Sequence, residues 1–306
     1  MPEFAPAWVT LSASALRALP FGRYRAANLL GAFLSEPFLM RLPADVGGYL
    51  FICDLRDSIC REACFTGRYE PQETQIAQRL VGPGMTVFDV GANWGYFTLL
   101  AAHLTGASGR VLALEPHPAL ATMLAENVRL NHLVQVEGHA IAAGRAEGVA
   151  PFSGFDEDGG NWGLSRVTAD PSYARLMCDV RRVDDLADER GLPRVDLIKI
   201  DVEGSEADVL VGMADGLRHG RYRHVLIECH PAQLAERRSS LVECLEPLRR
   251  ARYRGWWIDH SPGMHRRAAL NNVPLAEMLA PFEEGWSVQT DWPHLLWLAP
   301  GVELPR

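Results

Sequence analysis

The 306-residue chain has no Cys-x-x-Cys pair, no excess of basic residues and no apolar run long enough to span a bilayer. Each gap removes a class of protein. The cysteines at 53, 60, 64, 178, 229 and 244 lack the paired spacing of a zinc site. Cys60 and Cys64 sit one helical turn apart with Cys53 nearby, but reduced packing thiols are the expectation. A formal charge of −8 leaves no broad basic face, so nucleic acid is not expected as a partner. The arginine clusters at 249–254 and 266–267 then read as solvated faces. Glu3 and Arg17 interrupt the N-terminal apolar stretch, which lacks a basic lead-in, so neither a signal peptide nor a membrane partner is expected. The expectation is a soluble, cytoplasmic protein.

Hydrophobic residues make up 48% of the chain, enough for a sizeable core, and the length suits one domain with an added segment. Residues 1–70 read as that N-terminal extension: an amphipathic helix at 11–34, then short strands at 38–42 and 48–55. It is the expected place for part of a substrate pocket, or for a contact if the chain forms a homo-oligomer. Residues 71–306 read as the main domain. After a helix at 71–80, apolar strands at 85–90, 110–115, 134–140, 194–201 and 222–228 alternate with helices at 94–104, 117–131, 204–213 and 231–250. This alternation argues for βαβ units and a parallel sheet. The pattern breaks at GFDEDGGNWGLS, a glycine- and acid-rich loop that reads equally as a substrate-facing lid, with Trp162 able to stack on a sugar, or as a mobile surface loop. Strands follow at 177–183, in RYRGWWID and in HLLWLAP.

The stretch VFDVGANWGYFTLLAA (87–102) reads as a strand, a tight glycine turn and a helix. Such turns hold nucleotides, and two are in question. A dinucleotide wants G-x-G-x-x-G or alanine at the last place, but here the three positions are Gly91, Asn93 and Tyr96. Asparagine still tolerates a left-handed turn; the seat for a pyrophosphate is not intact. S-adenosylmethionine (SAM) has no phosphate. It needs close backbone approach, acceptors for its ammonium and a carboxylate for its ribose hydroxyls. Asp89 and the Gly91–Gly95 loop offer the first two. Glu115, ending the next strand, offers a carboxylate that can accept from both hydroxyls.

DVGANWGYFTLLAA, VLALEPHP, ENVRLN, VDLIKIDVEGSEADVL and HVLIECHP follow one another as in the FkbM family of SAM-dependent methyltransferases, which the chain resembles over about residues 69–231. The resemblance implies a class I, Rossmann-like α/β fold: a seven-stranded, mostly parallel sheet with one antiparallel strand near its edge. It also implies O-methylation of a hydroxyl on a small molecule, sugar or natural product. By the same resemblance Asp89, Gly91, Asn93 and Gly95 would cradle the methionine, and Glu115 the ribose with Pro116 beside it. His139 and Ala140 would line the adenine. Glu73 and Tyr69, in RYEPQE, would close over the cofactor.

In an open α/β sheet, ligands sit beyond the carboxyl ends of the strands. Asp201 and Glu203 stand there after one strand, Glu228 and His230 after another. Methyl transfer to a hydroxyl needs the oxygen held in line with the methyl and its proton removed. Two mechanisms fit. In one, His230 is the base, oriented by Glu228 or Asp201, with Glu203 alongside. In the other, Asp201, Glu228 and His230 hold a divalent ion, which acidifies the hydroxyl: the two carboxylates with water suit magnesium, which prefers hard oxygens, while the added His230 admits manganese or zinc. Lys199, in an apolar strand, reads as a paired lysine and not as a base. Two rivals stand outside this reading: an inactive methyltransferase-like binding module, and an NAD-dependent oxidoreductase, which Asn93 and Tyr96 disfavour.

Overall fold

The computed structural model describes residues 2–19, 23–31, 36–154, 165–168, 172, 174–282 and 292–305. The single helix expected at 11–34 is two, α1 (Ala7–Ala18) and α2 (Arg23–Gly31). Leu19 is extended (φ −80°, ψ 130°), as a residue before proline must be, and this ends α1. β1 (Phe38–Arg41) pairs antiparallel with β2 (Leu50–Cys53). Next come α3 (Ser58–Thr66), capped by the Asp57 carboxylate, and α4 (Pro71–Leu80), opened by a proline whose missing N–H costs nothing there.

Strands and helices then alternate as β3 (Thr86–Val90), α5 (Tyr96–Thr105), β4 (Arg110–Leu114), α6 (Pro118–Leu130) and β5 (Val136–His139). A separate small sheet holds β6 (Ala142–Ala143), β7 (Gly148–Ser153), β8 (Arg166–Val167) and β9 (Leu176–Arg181). The main sheet resumes through α7 (Val183–Glu189), β10 (Leu197–Ile200), α8 (Glu206–Gly212), α9 (Ala214–Arg218) and β11 (His224–Glu228). The helix expected at 231–250 is also two, α10 (Pro231–Glu236) and α11 (Leu241–Arg250). Ser240 and Glu243 form a reciprocal capping box that starts the second. Last come β12 (Arg254–Ile258), α12 (Pro262–Leu270), α13 (Leu275–Met278), β13 (Leu279–Pro281) and β14 (His294–Leu298).

The main sheet has the order β13-β12-β14-β11-β10-β3-β4-β5, eight strands where seven were expected. The run from β11 to β5 is parallel. β14 is the expected antiparallel strand, set between β11 and β12. The extra strand, β13, is a second antiparallel one at the edge. It contains Pro281, which cannot donate to a ladder and therefore suits an edge. Every residue of β10 and β14 is buried, as a sheet covered on both faces requires.

The extension is not a separate body. One apolar cluster runs from Val9 in α1 to Val302. Asn127 of α6 and Asn131, which caps its C-terminus, accept the N–H groups of Ile52 and Leu50, each at 2.8 Å, and so tie β2 to the sheet's helical layer. The six cysteines are buried thiols. Among the described residues no helix is long and apolar enough to cross a membrane. Residues 155–164, which hold most of the expected lid and Trp162, lie outside the described residues.

Candidate active site

β3 ends at Val90 and the chain turns at once into α5. It does so with left-handed backbone at Gly91 (φ 85°), Asn93 (φ 52°) and Gly95 (φ 88°). The Asn93 N–H donates to Glu115 Oε2 and the His117 N–H to Glu115 Oε1, both at 2.8 Å. Glu115 therefore links the turn after β3 to the turn after β4. Burial pushes its carboxyl up to about 7 against the pull of those two donors.

The chain runs outward from β3 to β5 and then crosses back to β10, so the strand order reverses beside β3. Ligands bind at such a point, and a cavity of about 480 Å³ opens there. Tyr69, Gly91, Asn93, Glu115 and Pro116 line it. The other expected cofactor residues do not. Asp89 is buried, its Oδ2 accepting from Thr98 Oγ1 at 2.6 Å. Gly95 caps α5, where a Cβ would strike Leu124. His139 is drawn aside by Glu137 (2.7 Å) and Arg190 (2.9 Å), and Ala140 is exposed. The apolar wall comes instead from Ile141, Ala142 and Ala143, with Leu114, Leu120 and Phe152. Glu73 also lies off the cavity lining, held by His260 and His294. The extension adds Ser58, Ile59 and Arg61 from α3, none of which belongs to a recognisable motif. Asn271 and Asn272 bond to α4 through Gln75 and Arg79 and are not part of the lining.

Asp201, Glu203, Glu228 and His230 do converge on this cavity. His230 Nδ1 lies 2.6 Å from Glu206 Oε1, so the carboxylate that orients the ring is Glu206, not Glu228 or Asp201 as expected. Its Nε2 faces Glu203 at 3.3 Å and Glu228 at 3.6 Å. Burial opposes a charge on His230, but the bond to Glu206 and the fields of Glu203 and Glu228 outweigh it and raise its pKa to about 10. An imidazole held in its cationic form is less suited to accept a proton than the neighbouring carboxylates. Burial pushes Glu203 up to about 7, although His230 pulls it down. Glu203 sits in left-handed backbone (φ 53°), which its short turn to Gly204 requires.

Lys199 reaches the same region from inside β10. Its ammonium lies 2.8 Å from Asp201 and 3.6 Å from Glu70, over the Phe97 ring at 4.6 Å. Burial works against its charge, but Asp201, Glu70, Asp89 and Glu228 together hold its pKa well above the ordinary value. Burial and the charges of Asp201 and Glu70 hold Glu228 well above the usual carboxylate range. The cavity thus has an apolar wall, a carboxylate at the turn after β4, and a charged end where burial pushes Glu203 up to about 7.

A model of the methyltransferase FkbM domain matches residues 89–254, more than half of the chain. Methyltransferase 1 of Beauveria bassiana is 32% identical over 146 residues, 42% of this chain and 58% of that protein. The 31-O-demethyl-FK506 methyltransferase FkbM of Streptomyces tacrolimicus is 34% identical over 175 residues, 48% of this chain and 66% of its own length. The 2-O-methyltransferase NoeI of Sinorhizobium fredii is 29% identical over 161 residues, 48% of this chain and 65% of its own. The chain therefore spans between 58% and 66% of the length of these relatives. With the strand order of the main sheet and the ligand cavity at its reversal, this similarity makes the chain a member of the FkbM family of SAM-dependent methyltransferases.

Proposed function

We propose that the protein methylates a hydroxyl of a small molecule, sugar or natural product, with Glu203 taking the hydroxyl proton. The observation that carries this reading is that Glu203 and His230 line the same cavity as Gly91 and Glu115. SAM would lie with its methionine part over Gly91 and Asn93, its ribose at Glu115 and its adenine against Ile141–Ala143. The acceptor oxygen attacks the methyl carbon as the carbon–sulfur bond breaks, and the bonding electrons leave on sulfur. The released proton passes to Glu203. His230, held cationic by Glu206, keeps a positive charge beside the developing oxyanion. Positioning of this kind is worth about 7–11 kcal/mol in favourable cases, and a base adds about 10²–10⁴-fold. Two of the relatives are named as O-methyltransferases or as acting on an O-demethyl compound, which supports oxygen as the acceptor atom.

A magnesium ion on Asp201, Glu228 and His230 fits the donors less well. Lys199 already neutralises Asp201 at 2.8 Å, and a ligating imidazole must be unprotonated, whereas the carboxylates around His230 favour its cation. The test is calorimetric titration with S-adenosylhomocysteine in EDTA and then in magnesium, followed by a screen of hydroxyl acceptors for a product one methylene heavier. Equal binding in both buffers, and turnover that magnesium does not raise, are the expected results. Binding without turnover on any acceptor would favour the inactive binding module, and no binding would overturn the proposal.

A further inference from the structure

Three side chains outside the cavity lining converge on one point. Glu73 stands in the first turn of α4, His260 follows β12 and His294 begins β14. His260 Nε2 lies 2.5 Å and His294 Nδ1 3.0 Å from the same oxygen, Glu73 Oε1. The two imidazoles stack, with centroids 3.6 Å and planes 13° apart. Glu73 Oε2 is buried and, among the described residues, has no hydrogen-bond donor. A plain hydrogen-bonded cluster accounts for the first carboxylate oxygen but leaves the second orphaned, which is costly in the interior.

We propose that Glu73, His260 and His294 form a binding site for a divalent metal ion of zinc's class, separate from the methyl-transfer cavity. Two imidazole nitrogens with one carboxylate suit zinc and its first-row neighbours, not magnesium or calcium, which prefer oxygen donors throughout. The ligand atoms already lie within 4.8 Å of one another. Both nitrogens lie beside the same carboxylate oxygen, Glu73 Oε1. An ion there requires the two rings to turn out of their stack and Glu73 to draw back, so that zinc–nitrogen distances of about 2.0–2.1 Å are reached. Glu73 binding through both oxygens would use the orphaned Oε2. Gln72 Nε2 donates to the Asp259 carbonyl at 3.0 Å, which fixes the segment carrying His260 against α4. The side chain of His260 is 20% exposed and gives the ion a way in.

The site has a consequence for the cavity. His294 Nε2, the nitrogen turned away from Glu73, lies 3.5 Å from Glu228 Oε1. Metal-bound imidazoles usually give their other N–H to a carboxylate, and the pair hold each other's orientation. Here that carboxylate lines the methyl-transfer cavity, so the ion would fix Glu228 from behind without touching a substrate.

The experiment uses the full chain without an affinity tag, stripped by chelator and then given zinc alone. Metal per chain is counted by mass spectrometry after dialysis, affinity is read by competition with a chelating dye, and cobalt replaces zinc for the visible spectrum. One ion per chain and a low-symmetry cobalt spectrum are expected. His260→Ala and Glu73→Gln should each weaken zinc by at least about 10–100-fold, the loss typical of removing even an outer partner of a ligand. His219→Ala, an exposed histidine elsewhere, should bind like the parent. If a variant fails to fold, melting of the parent still decides the matter, because bound zinc must raise its Tm. Absence of stoichiometric zinc in the parent, or equal affinity in His260→Ala and Glu73→Gln, overturns the proposal. None of these readings requires methyl transfer, so the result stands apart from the activity assay.

Discussion

The backbone carbonyl of Asp201, just past β10, fills the space that a Cβ on Gly91 would need. The turn that faces the cofactor cavity and the strand end that carries the acidic residues therefore touch through bare backbone. Gly91→Ala must either push the two strand ends apart or distort a φ of 85°, and left-handed strain alone costs about 1–3 kcal/mol. The expected result is a lower Tm together with lost binding of S-adenosylhomocysteine. A Gly91→Ala protein that melts and binds like the parent would show that this contact is not needed.

Glu115 should make cofactor binding depend on pH. Burial raises its carboxyl to about 7 in the free protein, and accepting from two ribose hydroxyls requires the ionised form. The carboxylate is present above that value and is lost as pH falls through it. Affinity for S-adenosylhomocysteine should therefore be level above about pH 8 and fall toward tenfold per unit below about pH 7. Glu115→Gln should bind more weakly and lose this slope. Calorimetric titrations across that range decide it; a level profile in the parent would remove Glu115 from the ribose contact.

Glu203 predicts a separate pH effect, on kcat at saturating SAM and acceptor, where binding by Glu115 no longer enters. Its raised carboxyl, about 7, must be ionised to accept a proton, so kcat should climb as pH rises through neutrality. Glu203→Gln should lower kcat by about 10²–10⁴-fold and abolish the climb. Glu206→Gln addresses the neighbouring charge. It removes the anion 2.6 Å from His230 Nδ1, so the His230 titration followed by NMR should move down from about 10. A His230 that titrates unchanged in Glu206→Gln would mean that Glu206 does not hold its charge.

Much of this site was legible along the chain because its parts are local. Apolar runs marked the parallel strands, the glycine turn followed β3 directly, and Glu115, Asp201, Glu203, Glu228 and His230 all stand at or just beyond strand ends, where position alone puts them near a ligand. What was not legible depends on contacts between distant segments. Glu206 lies 24 positions from His230, and only the crossing of β10 to β11 brings them together. The sequence pointed to His139 and Ala140, yet the cavity is lined by the next residues, Ile141–Ala143, because the polar ring of His139 turns outward to Glu137 and Arg190. Ser58, Ile59 and Arg61 are ordinary helix residues by sequence and reach the cavity only because the extension packs on the sheet. His260 and His294 were missed because neither belongs to a motif, and 187 positions separate His260 from Glu73.

The same dependence on distant contacts gives a stability prediction at Asn127, which the sequence shows only as part of ENVRLN. Its side chain is fully buried, accepts the Ile52 N–H at 2.8 Å and donates to the Trp94 carbonyl at 2.9 Å. One amide thus joins the extension's hairpin to the cofactor turn. Asn127→Ala leaves a buried donor and a buried acceptor without partners, each costing about 1–3 kcal/mol. Tm should fall by several degrees, and limited proteolysis should cut within the first 57 residues sooner than in the parent, since β2 is what the amide holds. Asn127→Asp tests the direction of the bonds: a carboxylate can still accept from Ile52, but buried with its other oxygen against the Trp94 carbonyl it is desolvated and repelled, so at neutral pH it should melt no higher than Asn127→Ala. Equal melting of all three proteins would mean that water replaces the amide and that apolar packing alone binds the extension to the sheet.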